Sequence, residues 1–241
     1  MKFKLICCNV LMRNVCLAIA KTPHIVDPEF TELGAHENSN SLRMLIQRKI
    51  DETEGQKYDA ILLGYGLCGN STAGLIARSI PLVIPKAHDC CTLFLGSRER
   101  FAEYFGDNLS SQWSSEGYME RCGSYLRDTD TGRLLGLDKE YEEYVALYGE
   151  DNARYIWETL HPRDRSGELV YIETPGLEHL GYLDEVKKKA EEEGKRVKRI
   201  QGDMRLIEGL LKGEWDEKEF LIVPPGRRIK ALYGYDVFGI S

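Results

Sequence analysis

The sequence predicts an α/β protein: two similar Rossmann-like lobes on mainly parallel sheets, with a helical insertion between them. Three observations carry that prediction. Short apolar runs such as Leu5-Ile6-Cys7-Cys8 and Ala60-Ile61-Leu62-Leu63 read as strands buried on both faces of a parallel sheet. Amphipathic stretches fall between those runs, as a chain of alternating strands and helices requires. The order strand, helix, strand, helix, strand runs from Phe3 to Gly66 and again from Leu169 to Gly226. That repetition is either a weak internal duplication or the order any α/β chain shows.

Each element follows from local chemistry. Phe3 to Cys8 is the first strand, and a helix from about Val10 to Ala20 is closed by Pro23. His24 to Leu33 is a second strand. Asn38-Ser39-Asn40-Ser41 supplies caps for a helix whose Leu42, Leu45, Ile46 and Ile50 share a face. Asp59 to Gly66 is a strand entering a glycine-rich turn, and Asn70-Ser71-Thr72 reads as the cap of a helix from Ala73 to Ser79. Pro81 to Pro85 is a strand that empties into Ala87-His88-Asp89-Cys90-Cys91.

From Gly106 to Arg165 the apolar strands stop, and aromatics such as Trp113, Tyr118, Tyr125 and Trp157 alternate with charges. Glu140 to Tyr148 and Asp151 to Leu160 read as amphipathic helices. The pattern then resumes with strands at Leu169–Glu173, Arg196–Gln201 and Phe220–Val223 and helices at Leu183–Glu193 and Met204–Leu211. The expected division is 1–105 for the first lobe, 106–166 for an insertion or lid, and 167–241 for the second lobe.

Composition narrows the function classes. With 241 residues, 42% hydrophobic and 29% charged, the chain holds enough apolar material for a true core. A net charge of −7 gives no basic footprint for phosphates, so a nucleic-acid partner is not expected. No uncharged run reaches the roughly 18–20 residues of a membrane helix, so a membrane partner is not expected either. Asn9, Arg13 and Asn14 interrupt the apolar start, which argues against a signal peptide and for a cytoplasmic protein.

The seven cysteines are Cys7, Cys8, Cys16, Cys68, Cys90, Cys91 and Cys122. Their odd number and irregular spacing do not suit a disulfide framework. Ligands in open parallel sheets bind beyond the carboxyl ends of the strands. Cys7 and Cys8 end one strand, Cys68 follows a second, and Cys90 and Cys91 follow a third. Three strands therefore deliver a cysteine to one edge. Either Cys7 or Cys8 serves, since alternation along the strand does not decide. Converging thiolates suit zinc, an iron–sulfur cluster or copper(I), and three ligands leave a fourth position open. Buried inert cysteines are the plain alternative. His88 and Asp89 stand ready as a fourth ligand, an orienting group or a proton donor.

The remaining candidates have paired readings. Gly64, Gly66 and Gly69 allow close backbone approach to a ligand, or simply form a tight turn. Ser97 caps a helix or helps to bind a cofactor, while Arg98 is an anion ligand or a surface charge. Asp203 is placed to cap the helix that begins at Met204, the plain reading, while a cleft-facing Arg205 would bind an anionic substrate. His24, His36, His161 and His179 show no partner pattern.

The phrases Tyr58-Asp59-Ala60-Ile61-Leu62-Leu63-Gly64-Tyr65-Gly66-Leu67-Cys68-Gly69, Pro81-Leu82-Val83-Ile84-Pro85-Lys86-Ala87-His88-Asp89-Cys90, Leu95-Gly96-Ser97, Gly202-Asp203-Met204-Arg205-Leu206, Gly213-Glu214-Trp215 and Pro224-Pro225-Gly226 resemble the domain-of-unknown-function family numbered sixteen thirty-eight. The resemblance covers nearly the whole chain. It implies an anaerobic setting near corrinoid-dependent methyltransferases, and favours Cys8, Cys68 and Cys90 as metal ligands with His88, Asp89, Asp203 and Arg205 beside them. Where that family often has acidic residues after the first cysteine, this chain has Asn9 and Asn14.

The leading expectation is an enzyme or accessory protein with a three-cysteine centre. The centre would be an iron–sulfur cluster of the 4Fe-4S type with an open iron, or zinc. Its substrate would be a small methylated or anionic molecule, and its partner a corrinoid protein or methyltransferase. A second expectation is a non-catalytic protein that binds a corrinoid or a methylated substrate. A third pairs Cys90 with His88 as nucleophile and base.

Overall fold

The computed structural model describes residues 1–32, 39–105, 112–121, 141–160, 167–232 and 236–241. The fold is mixed α/β with mainly parallel sheets. Strand β1 (Lys2–Cys8) lies between β2 (Ile25–Thr31) and β3 (Ala60–Gly64), and β4 (Leu82–Pro85) follows β3; all these neighbours run parallel. β1, β3 and β4 are the apolar runs of the sequence. Between them they hold Phe3, Leu5, Ile6, Leu62, Leu63 and Val83 at zero exposure, the burial that a sheet covered on both faces imposes.

A second parallel sheet joins β5 (Gln112–Ser115), β6 (Glu168–Glu173) and β7 (Arg196–Gln201). Strand β8 (Phe220–Val223) pairs antiparallel with β4, and β9 (Ile229–Ala231) with β10 (Phe238–Ile240) makes a small hairpin.

Nine α-helices occur among the described residues. They are α1 (Met12–Ile19), α2 (Ser39–Glu52), α3 (Cys90–Leu95), α4 (Arg98–Phe105), α5 (Glu116–Arg121), α6 (Tyr141–Tyr148), α7 (Glu150–Leu160), α8 (Tyr182–Glu192) and α9 (Arg205–Lys212). None is long and apolar enough to cross a membrane.

Three expectations are corrected. Ala73 to Ser79 is not a helix: Gly74 takes φ +87°, and the backbone instead bonds to 226–229 through Gly74 N to Ile229 O, Ala77 N to Arg227 O and Ile229 N to Leu75 O. The strand Phe220–Val223 does not complete a second lobe, because its backbone is satisfied by β4 of the first sheet. The two ends of the chain therefore share an element order without sharing a sheet topology. Strands also do not stop after Gly106: Gln112–Ser115 pairs with β6, although its polar sequence carries no apolar run.

Trp113 and Tyr118, assigned on sequence to a lid, are buried in the main core beside Phe94, at ring separations of 5.8 and 6.4 Å. Within the expected insertion, α6 and α7 form, and Tyr141 and Tyr144 each meet Trp157 edge-on at 5.7 Å. Tyr125, Cys122, His36 and His161 lie outside the described residues.

One hydrophobic core spans both sheets. Val170, Ile172 and Ile200 of the second sheet belong to the same cluster as β1, β3 and β4, while Leu169 and Tyr171 face away and pack with Val186 and Ala190 of α8. In a parallel ladder paired residues share a face, so Trp113 and Ser115, opposite Val170 and Ile172, also face the shared core.

Candidate functional site

The carboxyl ends of β1, β3 and β4 lie side by side, and the segments that leave them carry the cysteines. Cys8 ends β1, and Cys90 opens α3 after β4. The Cys8 thiol is hydrogen-bonded to the Cys90 thiol, and both residues are buried. That contact, reinforced by burial, holds the Cys8 thiol well above its usual range. The Cys8 thiol is therefore protonated near neutral pH, and an ion entering the pair would have to displace that proton.

Cys7 and Cys8 differ in what their sulfurs meet. The Cys7 sulfur turns to Gly64, donating to the carbonyls of Cys8 and Gly64 at 3.4 Å each. A Cβ on Gly64 would overlap that sulfur and lie 2.8 Å from Cys7 Cβ, so Gly64 makes room for the Cys7 side chain.

Cys68 is also buried, in the loop after β3. It belongs to a run of three left-handed residues, with φ 48° at Cys68, 60° at Gly69 and 68° at Asn70. Left-handed backbone costs about 1–2 kcal/mol at a residue with a side chain, so the loop is strained, and strain of this kind gathers at functional sites. Backbone bonds hold it in place: Leu67 N donates to Ala87 O at 2.8 Å and Cys68 N to His88 O at 2.9 Å. Gly66 permits this approach, because a Cβ there would meet Asp89 N at 2.7 Å and Ala87 O at 2.8 Å.

Tyr65 ties these pieces together and escaped the sequence reading. Its hydroxyl shares a hydrogen bond of 2.5 Å with Thr31 Oγ1. Burial pushes its phenol up, aided by the neighbouring Cys8, Cys7 and Cys68 thiols. The only sequence hint was its place between two glycines after an apolar strand.

Among the described residues, no three or more His, Cys, Asp or Glu side chains are grouped so as to hold a metal ion. The structure brings two of the three expected sulfurs into contact, and a ready-made three-cysteine ligand set is not present.

The other candidates take definite places. Asp89 caps α3, its carboxylate accepting from Thr92 N at 3.2 Å. His88 is half-buried, with its ring 6.3 Å from that of Phe101. Burial lowers its pKa, with the Arg98 charge contributing, so the imidazole is neutral near pH 7. Ser97 caps the start of α4 by accepting from Arg100 N at 3.1 Å, and Arg98 donates to the Lys218 carbonyl at 2.5 Å.

Asp203 and Arg205 are not brought to the sulfur pair; they sit beyond the other end of α3. Arg205 donates to Gly96 O at 3.0 Å and pairs with Glu219 at 2.6 Å, while Asp203 accepts from Arg205 N at 2.8 Å. Both line a cleft of about 650 Å³ with Lys21, Gly202 and Met204.

Of the remaining cysteines, Cys91 is buried and Cys16 is exposed.

A family model described as a protein of unknown function (DUF1638) matches residues 30–211, which include Cys68, Cys90, Asp203 and Arg205. No curated protein and no solved structure matches the chain.

Proposed function

The chain belongs to the DUF1638 family, and from that premise we propose that it is a metalloprotein, an enzyme of corrinoid-linked one-carbon metabolism, centred on Cys8, Cys68 and Cys90. The observation that carries this reading is the Cys8–Cys90 thiol contact, made at the sheet edge where α/β proteins bind ligands. In kind, the donors suit a soft ion, since thiolates are its preferred ligands. In number, two sulfurs touch, so loading an ion requires Cys68 to join them from its strained loop.

The group would be an iron–sulfur cluster with one open iron, or zinc with one open position. When bound it would supply a Lewis-acidic point for substrate. The protein's own contribution is separate from that point. The neutral imidazole of His88, next to the cap of α3, can accept a proton from a bound molecule. The buried edge excludes water, and Gly66 keeps the two cysteine loops together. The corrinoid-linked setting rests on the resemblance to the family.

Metal and acid-labile sulfide analysis of oxygen-free protein tests the proposal. Stoichiometric iron with sulfide, or stoichiometric zinc, is expected in the unaltered protein and in Cys16→Ser, whose side chain is exposed. Folded Cys8→Ser and Cys90→Ser variants should lose it. Metal-free protein, or metal kept by both variants, contradicts the reading.

A second reading is a non-catalytic protein accessory to a methyltransferase, binding a corrinoid or a methylated substrate. It is favoured by the cleft at Gly202 and Met204, which stands apart from the sulfur pair. Hydroxocobalamin binding that survives replacement of Cys8, Cys68 and Cys90 by serine, in protein without metal, would support it over the first.

A further inference from the structure

Buried polar atoms in folded proteins nearly always find a partner, and each exception calls for a reason. Among the described residues, six buried side-chain atoms have none: Asn9 Oδ1, Asn14 Oδ1, Arg43 Nε, Trp113 Nε1, Ser114 Oγ and Ser115 Oγ. Four of them, on Asn9, Asn14, Trp113 and Ser115, lie on segments that meet between the two sheets, a seam formed by the turn after β1, α1 and β5. Asn14, Trp113 and Ser115 are 2%, 1% and 0% exposed.

Backbone and side-chain contacts draw their segments together. Asn9 opens the turn after β1, and Ser115 ends β5, two residues before Gly117. A Cβ on Gly117 would overlap the Val10 carbonyl, so the start of α5 rests directly on that turn. Asn14 Nδ2 donates to Thr174 Oγ1 at 2.8 Å, and Thr174 in turn donates through N and Oγ1 to the Glu116 carboxylate at 2.7 and 3.0 Å. Trp113 and Ser115 face the shared core by their register with β6, whereas Ser114 faces the opposite side.

The seam adjoins an opening. Asn14 Nδ2 also lies 3.4 Å from Met204 Sδ, and Met204, Gly202 and Pro175, the neighbour of Thr174, form one wall of the 650 Å³ cleft. Charges at that cleft are largely cancelled: Glu208 pairs with Lys21 at 3.6 Å and Lys212 at 3.1 Å, and Arg100 lies 4.0 Å from Asp203.

We propose that this seam binds a small uncharged molecule of carboxamide or urea type, entering past Met204. The class follows from the atoms left open. Two amide oxygens accept only, the indole N–H donates only, and a serine hydroxyl does either. A ligand must therefore both donate and accept. An anion would lie beside the buried Glu116 carboxyl with no cation to offset it. An ammonium ion offers nothing to the indole N–H, and the Glu116 carboxyl that would balance it already accepts from Thr174. An amide group places its N–H bonds on the asparagine oxygens and its carbonyl on Trp113 or Ser115. The inference stands on the seam alone and is independent of any metal at the sulfur pair.

The test follows the indole N–H resonances of uniformly ¹⁵N-labelled protein, with that of Trp113 assigned by eliminating Trp157 and Trp215 through Trp→Phe variants. Acetamide, acetate and methylammonium are titrated in turn. The expected result is a saturable shift of the Trp113 signal with acetamide only, weakened about tenfold in Ser115→Ala or Asn14→Ala, as the loss of one hydrogen bond implies. If neither variant folds, the three-probe comparison on the unaltered protein decides. No saturable shift, equal shifts with all three probes, or an ordered water that persists at Trp113 under saturating acetamide would each overturn the proposal.

Discussion

Replacing Gly66 by alanine should cost more than any glycine substitution made in open space, although Gly66 is not a left-handed residue. The added Cβ would meet Asp89 N at 2.7 Å, Ala87 O at 2.8 Å and Asp89 Cα at 2.8 Å, all backbone, so no side chain can rotate away. Ordinary contact begins at 3.4 Å, so the loops of β3 and β4 must part by about 3.4 − 2.7 = 0.7 Å. Overpacking that moves backbone costs about 1–3 kcal/mol. The parting also weakens the bonds from Leu67 N and Cys68 N, which contribute about 1 kcal/mol each. The expected loss is about 3 kcal/mol, a large share of the ~5–15 kcal/mol that holds a domain folded. Gly69→Ala is the comparison: its Cβ has only Ser39 Oγ nearby, at 3.5 Å, and pays for a left-handed φ of 60° alone, about 1–2 kcal/mol. Urea unfolding followed by circular dichroism measures both variants. A Gly66→Ala variant within about 0.5 kcal/mol of the unaltered protein, or more stable than Gly69→Ala, would refute the steric argument.

Other outcomes follow from the same geometry. Burial raises the Glu116 pKa, so the stability it contributes is present below 4.5 and lost as the pH rises through its higher folded value. Relative to Glu116→Gln, the unaltered protein should lose urea resistance from pH 5 towards neutrality, and parallel profiles would remove Glu116 as the cause. Asp89→Ala should cost about 1 kcal/mol through loss of the α3 cap, with Asp89→Asn recovering most of it; equal losses in thermal melts would contradict a capping role. Arg205→Ala should cost about 1 kcal/mol, the pair with Glu219 being half exposed, and leave metal content unchanged. Metal loss in that variant would draw Arg205 into the sulfur site.

Much of the architecture was legible because burial on both faces writes itself into sequence as unbroken apolar runs. β1, β3 and β4 are such runs, and their carboxyl ends marked the cysteine-bearing edge. β5 was hidden because Gln112-Trp113-Ser114-Ser115 carries no apolar run and no alternation of a half-buried strand. The missing helix at Ala73–Ser79 shows the reverse: good helix formers around Gly74 were overridden by backbone partners at 226–229, far away in the chain. For the site, strand order put Cys8 and Cys90 together, but no pattern told that Cys7 would be spent on Gly64. Asp89 and Ser97 proved to be caps, the plain reading of such residues at a helix start, whereas Asp203 lies one residue before the cap position Met204 and accepts from Arg205 N. The seam of Asn14, Ser115 and Thr174 left no trace in sequence, since its members come from three unrelated segments.

The central claim is that the sulfurs of Cys8, Cys68 and Cys90 share one metal centre, and X-ray absorption at the metal edge of oxygen-free protein tests it most directly. The account predicts a shell of sulfur neighbours at about 2.3 Å around iron or zinc, diminished in Cys68→Ser. A first shell of oxygen and nitrogen alone, or a sulfur shell unchanged by that substitution, would contradict it.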